Sequence, residues 1–197
     1  MRAPMSDLRE QMNWYNPPDE WSDTGGVTRI TTGGATDFWR HTHYGFVRDT
    51  GHFCYREIKG DFSAEVDVRG KYTTLYDQAG LMLRHDSGRW IKAGIEYSEN
   101  LMHFSVVVTN HWSDWSLIPL PEAHQDVDVG VQLLRIGQTI SVRYRLNQGK
   151  LQIARVAAFP YKDITQIGIV CCSPERAGFE AEFRNFRIGE PVGVSFS

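Results

Sequence analysis

Apolar and polar residues alternate along much of this chain, and that period of two constrains the fold more than any other feature. In GDFSAEVDVRG (60–70), Phe62, Ala64, Val66 and Val68 take one side; Ser63, Glu65, Asp67 and Arg69 take the other. DQAGLMLRHD sets Ala79, Leu81 and Leu83 against Gln78, Gly80, Met82 and Arg84. RWIKAGIEYS sets Ile91, Ala93, Ile95 and Tyr97 against Trp90, Lys92, Gly94, Glu96 and Ser98. LMHFSVVVTN sets Met102, Phe104, Val106 and Val108 against His103, Ser105, Val107 and Thr109. Successive side chains of an extended strand point to opposite faces, so each segment reads as a strand with one face buried. No segment longer than about eight residues keeps a helical period.

The remaining segments follow the same pattern. VTRITTGG reads as a short strand, and DFWRHTHYGFVRDTGHFCYREI as a loop followed by a strand near residues 52–58. VDVGVQLLRIGQTISVRYRLNQGKLQIARVAAF holds at least three strands, with a turn at NQGK (147–150) in which Gly149 is free to take positive φ. ITQIGIVCCS and AGFEAEFRNFRIGEP close the chain. NWYNPPDEW (13–21) is too rich in proline for a regular helix and is expected to pack Trp14 and Trp21 across one end. Residues 1–12 read as a tail or a short helical turn, and 13–197 as one domain without linker or short repeat. About a dozen short strands imply two stacked antiparallel sheets, an all-β sandwich of jelly-roll type.

Composition narrows the function classes. A chain of 197 residues should bury roughly 70% of its unfolded surface and needs no covalent staples. A net charge of −3 gives no basic excess, which argues against phosphate-dominated nucleic-acid binding. No apolar run approaches the ~18 residues of a membrane span. MRAPMSDLREQMNWYNPP lacks the apolar stretch of a signal peptide. Cys54, Cys171 and Cys172 then read as reduced, buried thiols in a cytoplasmic protein.

FSAEVDVRG, YDQAGLMLRHDSGRWIKAGIEYS, SVVVTNHWSDWS, IGIVCCSP and GFEAEFRNFRI follow one another in a recognisable order. They resemble a bacterial and fungal family of unknown function, often labelled "regulation of enolase protein" by name transfer. The resemblance runs from about Asn13 to Ile188 and is most specific at QAGLMLR and KAGIEY. It implies the concanavalin A-like sandwich of legume-type lectins and glucanases, and a likeness to the C-terminal sandwich modules of some xylosidases. In that fold a curved sheet commonly holds sugar on its concave face.

Glu65, Asp67, Gln78, Arg84, Trp90, Lys92, Glu96 and His103 then form the candidate ligand-binding set, with Arg69 beside them. They lie on the polar side of four consecutive strands, and meet if those strands are neighbours. A sugar ring stacks its C–H face on Trp while carboxylates, amides and Arg bond its hydroxyls. The bland alternative is a solvated polar face, common on antiparallel sheets.

Three functions are compatible with these residues. The first is a non-catalytic carbohydrate- or small-metabolite-binding module. The second is a glycosidase using Glu65 and Glu96 as its carboxyl pair, since the acid expected after Glu65-Val-Asp67 is replaced by Arg69 or Gly70. The third is a self-associating structural protein, most simply a homodimer. His41 and His43 have no acid or cysteine cluster beside them and read as surface or packing residues, so no metal is expected. Phosphate loops and nucleophile elbows are absent from the sequence, and no cofactor is expected. NHWSDWS (110–116) is expected to loop over the edge of the polar patch.

Overall fold

The computed structural model describes residues 12–192. The tail expected at the N-terminus lies, apart from Met12, outside the described residues. Sixteen strands are found among the described residues. The first eight are β1 (Asn13–Tyr15), β2 (Glu20–Thr24), β3 (Val27–Thr31), β4 (Phe38–Arg40), β5 (Val47–Asp49), β6 (His52–Lys59), β7 (Phe62–Gly70) and β8 (Gln78–Asp86). The others are β9 (Arg89–Ser98), β10 (Leu101–Asn110), β11 (Trp112–Pro119), β12 (Val129–Ile136), β13 (Thr139–Leu146), β14 (Gln152–Ala158), β15 (Ile164–Cys172) and β16 (Glu180–Gly189).

They build two seven-stranded antiparallel sheets. Sheet A runs β1-β6-β15-β8-β9-β10-β11 and sheet B runs β14-β13-β12-β7-β16-β3-β2. The fold is the expected all-β sandwich. No helix of the described residues is long and apolar enough to cross a membrane.

Alternation explains the stacking. The apolar sets of β7, β8, β9 and β10 meet between the sheets with Val129, Val131, Leu133, Ile167 and Ile169. Phe62, Leu81, Leu83, Ile91 and Phe104 are buried to within 2% exposure, and each such side chain contributes about 1.5–3 kcal/mol of transfer free energy. Trp14 and Trp21 meet edge to face at 5.3 Å. They join the edge strand β1 of sheet A to the edge strand β2 of sheet B, as NWYNPPDEW suggested. In the turn after β13 it is Asn147 that takes positive φ (49°), not Gly149. Asn tolerates the left-handed region and its side-chain oxygen accepts from the Asp128 amide.

The segment between β3 and β6 departs from expectation. It carries a hairpin, β4–β5, that lies over the outer face of sheet A. Phe38 and Trp39 from the hairpin pack on Phe53, Met82, Trp90, Val107, Val170 and Cys172 from that face, forming a second hydrophobic cluster. The outer face of sheet A is therefore an interior.

Candidate functional site

The hairpin is fastened to sheet A by two ion pairs. At one end Asp37 pairs with Lys92 from β9 at 3.2 Å, and the Lys92 ammonium also donates to the Phe38 carbonyl at 3.2 Å and to the Gln78 side-chain oxygen. All three ammonium hydrogens thus have acceptors. At the same end, where Asp49 pairs with Phe38 across the hairpin, Asp49 accepts from Arg84 of β8 at 3.1 Å and from the Tyr15 hydroxyl at 2.7 Å. The Arg84 guanidinium lies over the Tyr15 ring, 4.2 Å from its centroid. Along the far side, the Arg40 amide donates to the Ser113 hydroxyl at 3.0 Å and its side chain to the His111 carbonyl at 3.1 Å.

Between roof and sheet remains a cavity of about 150 Å³. Gln78, Lys92, Glu96 and Val107 come from the sheet; Trp39, Tyr44, Phe46 and Arg48 come from the hairpin. Tyr76 and Trp115 stand at its sides, with Pro174 and Glu175 at the rim. Tyr76 has positive φ (64°), unusual for an aromatic residue. Its neighbour Asp77 fixes that shape: fully buried, it accepts from the Thr73 and Thr74 amides at 3.0 Å and pairs with Arg176 at 2.6 Å. Within the polar floor, Gly80 of β8 faces Gly94 of β9. A Cβ on Gly80 would come within 2.0 Å of the Ala93 carbonyl oxygen, and one on Gly94 within 2.2 Å of that of Ala79. Glycine is required for the two strands to approach this closely.

Electrostatics distinguish the two charged groups of the floor. Burial works against the Lys92 charge, but Asp37, Cys172 and Glu96 outweigh it and hold the ammonium above the usual lysine range. Burial pushes the Glu96 carboxyl up to about 7, against the pull of Lys92 and of the Ser105 hydroxyl that donates to it at 2.7 Å. A carboxyl normally near 4.5 that titrates near 7 in the native state makes folding less favourable as pH rises between those values. The Glu96→Gln variant removes that loss. It should stay within about 1 kcal/mol of wild type at pH 5 in urea unfolding and exceed it at pH 8, by at most about 3.5 kcal/mol at 1.4 kcal/mol per pH unit. An equal difference at both pH values would contradict the burial of an ionising Glu96.

The structure divides the eight expected ligand-binding residues. Gln78, Lys92 and Glu96 come together at the cavity. Arg84 and Trp90 share their face of sheet A but lie under the hairpin: Arg84 anchors it, and Trp90, wholly buried, packs edge-on against Phe38 at 6.1 Å. Trp90 is therefore no exposed stacking platform. His103 sits opposite Glu96 on β10, buried, outside the residues that line the cavity.

Glu65 and Asp67 are on the outer face of sheet B, the far side of the sandwich, because β7 pairs with β12 and β16 rather than with β8. Glu65 accepts from Gln132 at 2.6 Å and pairs with Arg187. Asp67 accepts from Arg145 at 2.5 Å and Asn185 at 2.8 Å. Arg145 reaches Asp67 across Gly130, where a Cβ would meet its side chain at 2.7 Å. The carboxyl pair Glu65 and Glu96 is thus not formed, since the two stand on opposite sheets. Nor does the polar face of sheet A offer an open surface for self-association, because the hairpin covers it.

Sequence reading missed Asp37, Trp39, Tyr44, Phe46, Arg48 and Tyr76. NHWSDWS is not a loop but the turn into β11, which sets Trp115 against the cavity and leaves Trp112 exposed. His41 and His43 occupy left-handed positions in the hairpin turn, His41 against the Trp112 ring at 5.0 Å. All three cysteines are free and buried, and burial pushes the Cys54 and Cys172 thiols up to about 12. A wider opening of about 680 Å³ lies by β2, β3 and β16. Several of its charges are matched with one another, as Arg29–Glu182, Lys71–Glu180 and Arg184–Glu182, in solvent that screens them.

Comparison with known proteins agrees with this architecture. The family model described as protein of unknown function (DUF1349) matches residues 14–191. "Regulation of enolase protein 1" of Saccharomyces cerevisiae is 37% identical over 183 residues, covering 93% of this chain and 91% of that protein. The crystal structure of a functionally unknown protein from Saccharomyces cerevisiae superposes with a TM-score of 0.90 at 36% identity, covering 95% of this chain and all of that one. Two more distant structures share the fold alone. One is the carbohydrate binding module CBM66 from Bacillus subtilis (TM-score 0.57, 14% identity, 92% of this chain and 98% of that one). The other is a xylan beta-1,4-xylosidase from Bacillus halodurans (TM-score 0.68, 14% identity, 85% of this chain and 33% of that one).

Proposed function

The chain belongs to this family of unknown function, and from that premise we propose that it is a non-catalytic binding module whose site is the cavity beneath the β4–β5 roof. Its ligand is a single carbohydrate unit or a metabolite of similar size. One observation carries the reading: aromatic walls enclose about 150 Å³ above the buried polar groups of Gln78, Lys92 and Glu96. Apolar walls with a few convergent polar groups are the usual make-up of a ligand pocket. The volume is below the ~300 Å³ at which drug-sized sites begin, so it suits one ring or a chain end rather than a length of polymer. The fold shared with a carbohydrate binding module supports the sugar class. The buried free thiols fit a cytoplasmic setting, which belongs to the same proposal.

Thermal unfolding of wild type and Tyr44→Ala against monosaccharides, methylated amines and small organic acids tests this. A ligand at about a hundred times its Kd adds roughly 2.7 kcal/mol, or about 5–10 °C for a domain of this size. Tyr44 is 39% exposed but packs on Trp39, Phe46 and Tyr76, so its removal should lower the unliganded Tm by a few degrees and abolish the shift. A shift that survives in Tyr44→Ala, or no shift across the panel, would contradict the proposal.

A further inference from the structure

We infer that the group received between the cavity's aromatic rings is a methylated ammonium, so that the ligand belongs to the choline and betaine class; this rests on the cavity being the binding site. The centroids of Trp39, Tyr44, Tyr76 and Trp115 follow one another at 5.6, 6.5 and 6.3 Å, and Trp115 closes back on Trp39 at 5.9 Å. Consecutive ring planes are inclined by 70°, 74°, 75° and 87°. Four rings so nearly perpendicular in turn stand as the walls of a box. A square of that side has its centre about 4.3 Å from each corner, inside the ~6 Å over which an aromatic face attracts a cation.

The polar atoms of these rings already take part in hydrogen bonds, to the backbone, to Ser105 or to one another. The Trp39 indole donates to the Thr42 carbonyl at 2.8 Å, the Trp115 indole donates to the Ser105 hydroxyl at 3.2 Å, and the Tyr44 and Tyr76 hydroxyls meet at 2.6 Å. Lys92 has acceptors for all its hydrogens. The walls therefore offer ring surface more than hydrogen bonds. A sugar would need its hydroxyls matched, whereas a quaternary ammonium has no N–H and is satisfied by ring faces alone.

Charge points the same way. Lys92 and Asp37 balance each other. That leaves Glu96 at the floor, Glu175 at the rim and the Arg48 guanidinium, which lies over the Phe46 ring at 4.6 Å. A zwitterion matches this set, with its cation in the box near Glu96 and its carboxylate against Arg48. Because the Glu96 carboxyl is pushed up to about 7, the pull on a cation strengthens as pH rises past neutrality.

Isothermal titration of wild type, Tyr44→Ala and Arg48→Gln with choline, glycine betaine, a monosaccharide and the neutral isostere of choline, in which a quaternary carbon replaces nitrogen, decides the matter. Choline should bind at least about tenfold more tightly than the isostere, and Tyr44→Ala should weaken it about tenfold or more. Betaine should bind more tightly than choline, an advantage lost in Arg48→Gln. Equal binding of choline and its isostere, or no binding of either ammonium compound at millimolar concentration, overturns the inference. Binding of the monosaccharide alone, lost in Tyr44→Ala, overturns the ammonium assignment and leaves the cavity as the site. A ligand indifferent to Tyr44→Ala overturns both.

Discussion

The Trp90→Ala variant should lose about 3–5 kcal/mol of stability, the range for truncating a fully buried aromatic side chain. Trp90 is 0% exposed beneath the hairpin. It packs edge-on against Phe38 within the cluster that holds Trp39, Met82 and Val107. The void left would also remove support from Trp39, a wall of the cavity. A control separates packing from polarity. The Trp90 indole nitrogen has no hydrogen-bond partner among the described residues, so Trp90→Phe loses volume but no bond and should cost well under half as much. Urea unfolding reads both. A Trp90→Ala variant within about 1 kcal/mol of wild type would mean that the indole stands in solvent and that the roof is not there.

Substituting Lys92 by Met should be comparably costly, about 3–5 kcal/mol, because it leaves the Asp37 carboxylate buried without its cation. Two further acceptors, the Phe38 carbonyl and the Gln78 side-chain oxygen, lose their donor. The effect should centre on the hairpin. Amide hydrogens of residues 38–46 should exchange faster in the variant, while those of β12 and β13 in sheet B keep their protection. Adding Asp37→Asn should recover part of the loss, since the residual buried charge is what costs most. If Lys92→Met and the double variant are equally unstable, the pair is not what fastens the roof.

Both variants bear on what the sequence could reveal. The period of two correctly assigned the inward residues of β7 to β10, and it placed Trp90, Lys92 and Glu96 on the opposite face, where they are. Parity decides which face a side chain takes, not what lies above that face. The roof left a trace: Met82 and Val107 are apolar among polar outward neighbours, and both pack under the hairpin. Phe38, Trp39 and Phe46 sit in a stretch too broken by turn residues to show a period, so their role depended on tertiary packing.

The fate of Glu65 and Asp67 was hidden for a different reason. Strand order is non-local, and β15 and β16, the last to appear in the chain, insert into the middle of sheets A and B. Loop lengths held a partial signal. The link from β8 to β9 is the two residues Ser87 and Gly88, a tight hairpin. The link from β7 to β8 runs over residues 71–77, longer than hairpin turns usually are, and it crosses between the sheets.

The central claim is that ligand enters between the hairpin and sheet A. The indole N–H region of a nitrogen-15 correlation spectrum tests it, because of the six tryptophans Trp39 and Trp115 wall the cavity while Trp14 and Trp21 meet at the sheet edges. On titrating the compound that raises Tm most, the Trp39 and Trp115 signals should move together and saturate, with Trp14 and Trp21 still. Movement of Trp21, with Trp39 and Trp115 unchanged, would place binding at the open groove by β2 and contradict the account.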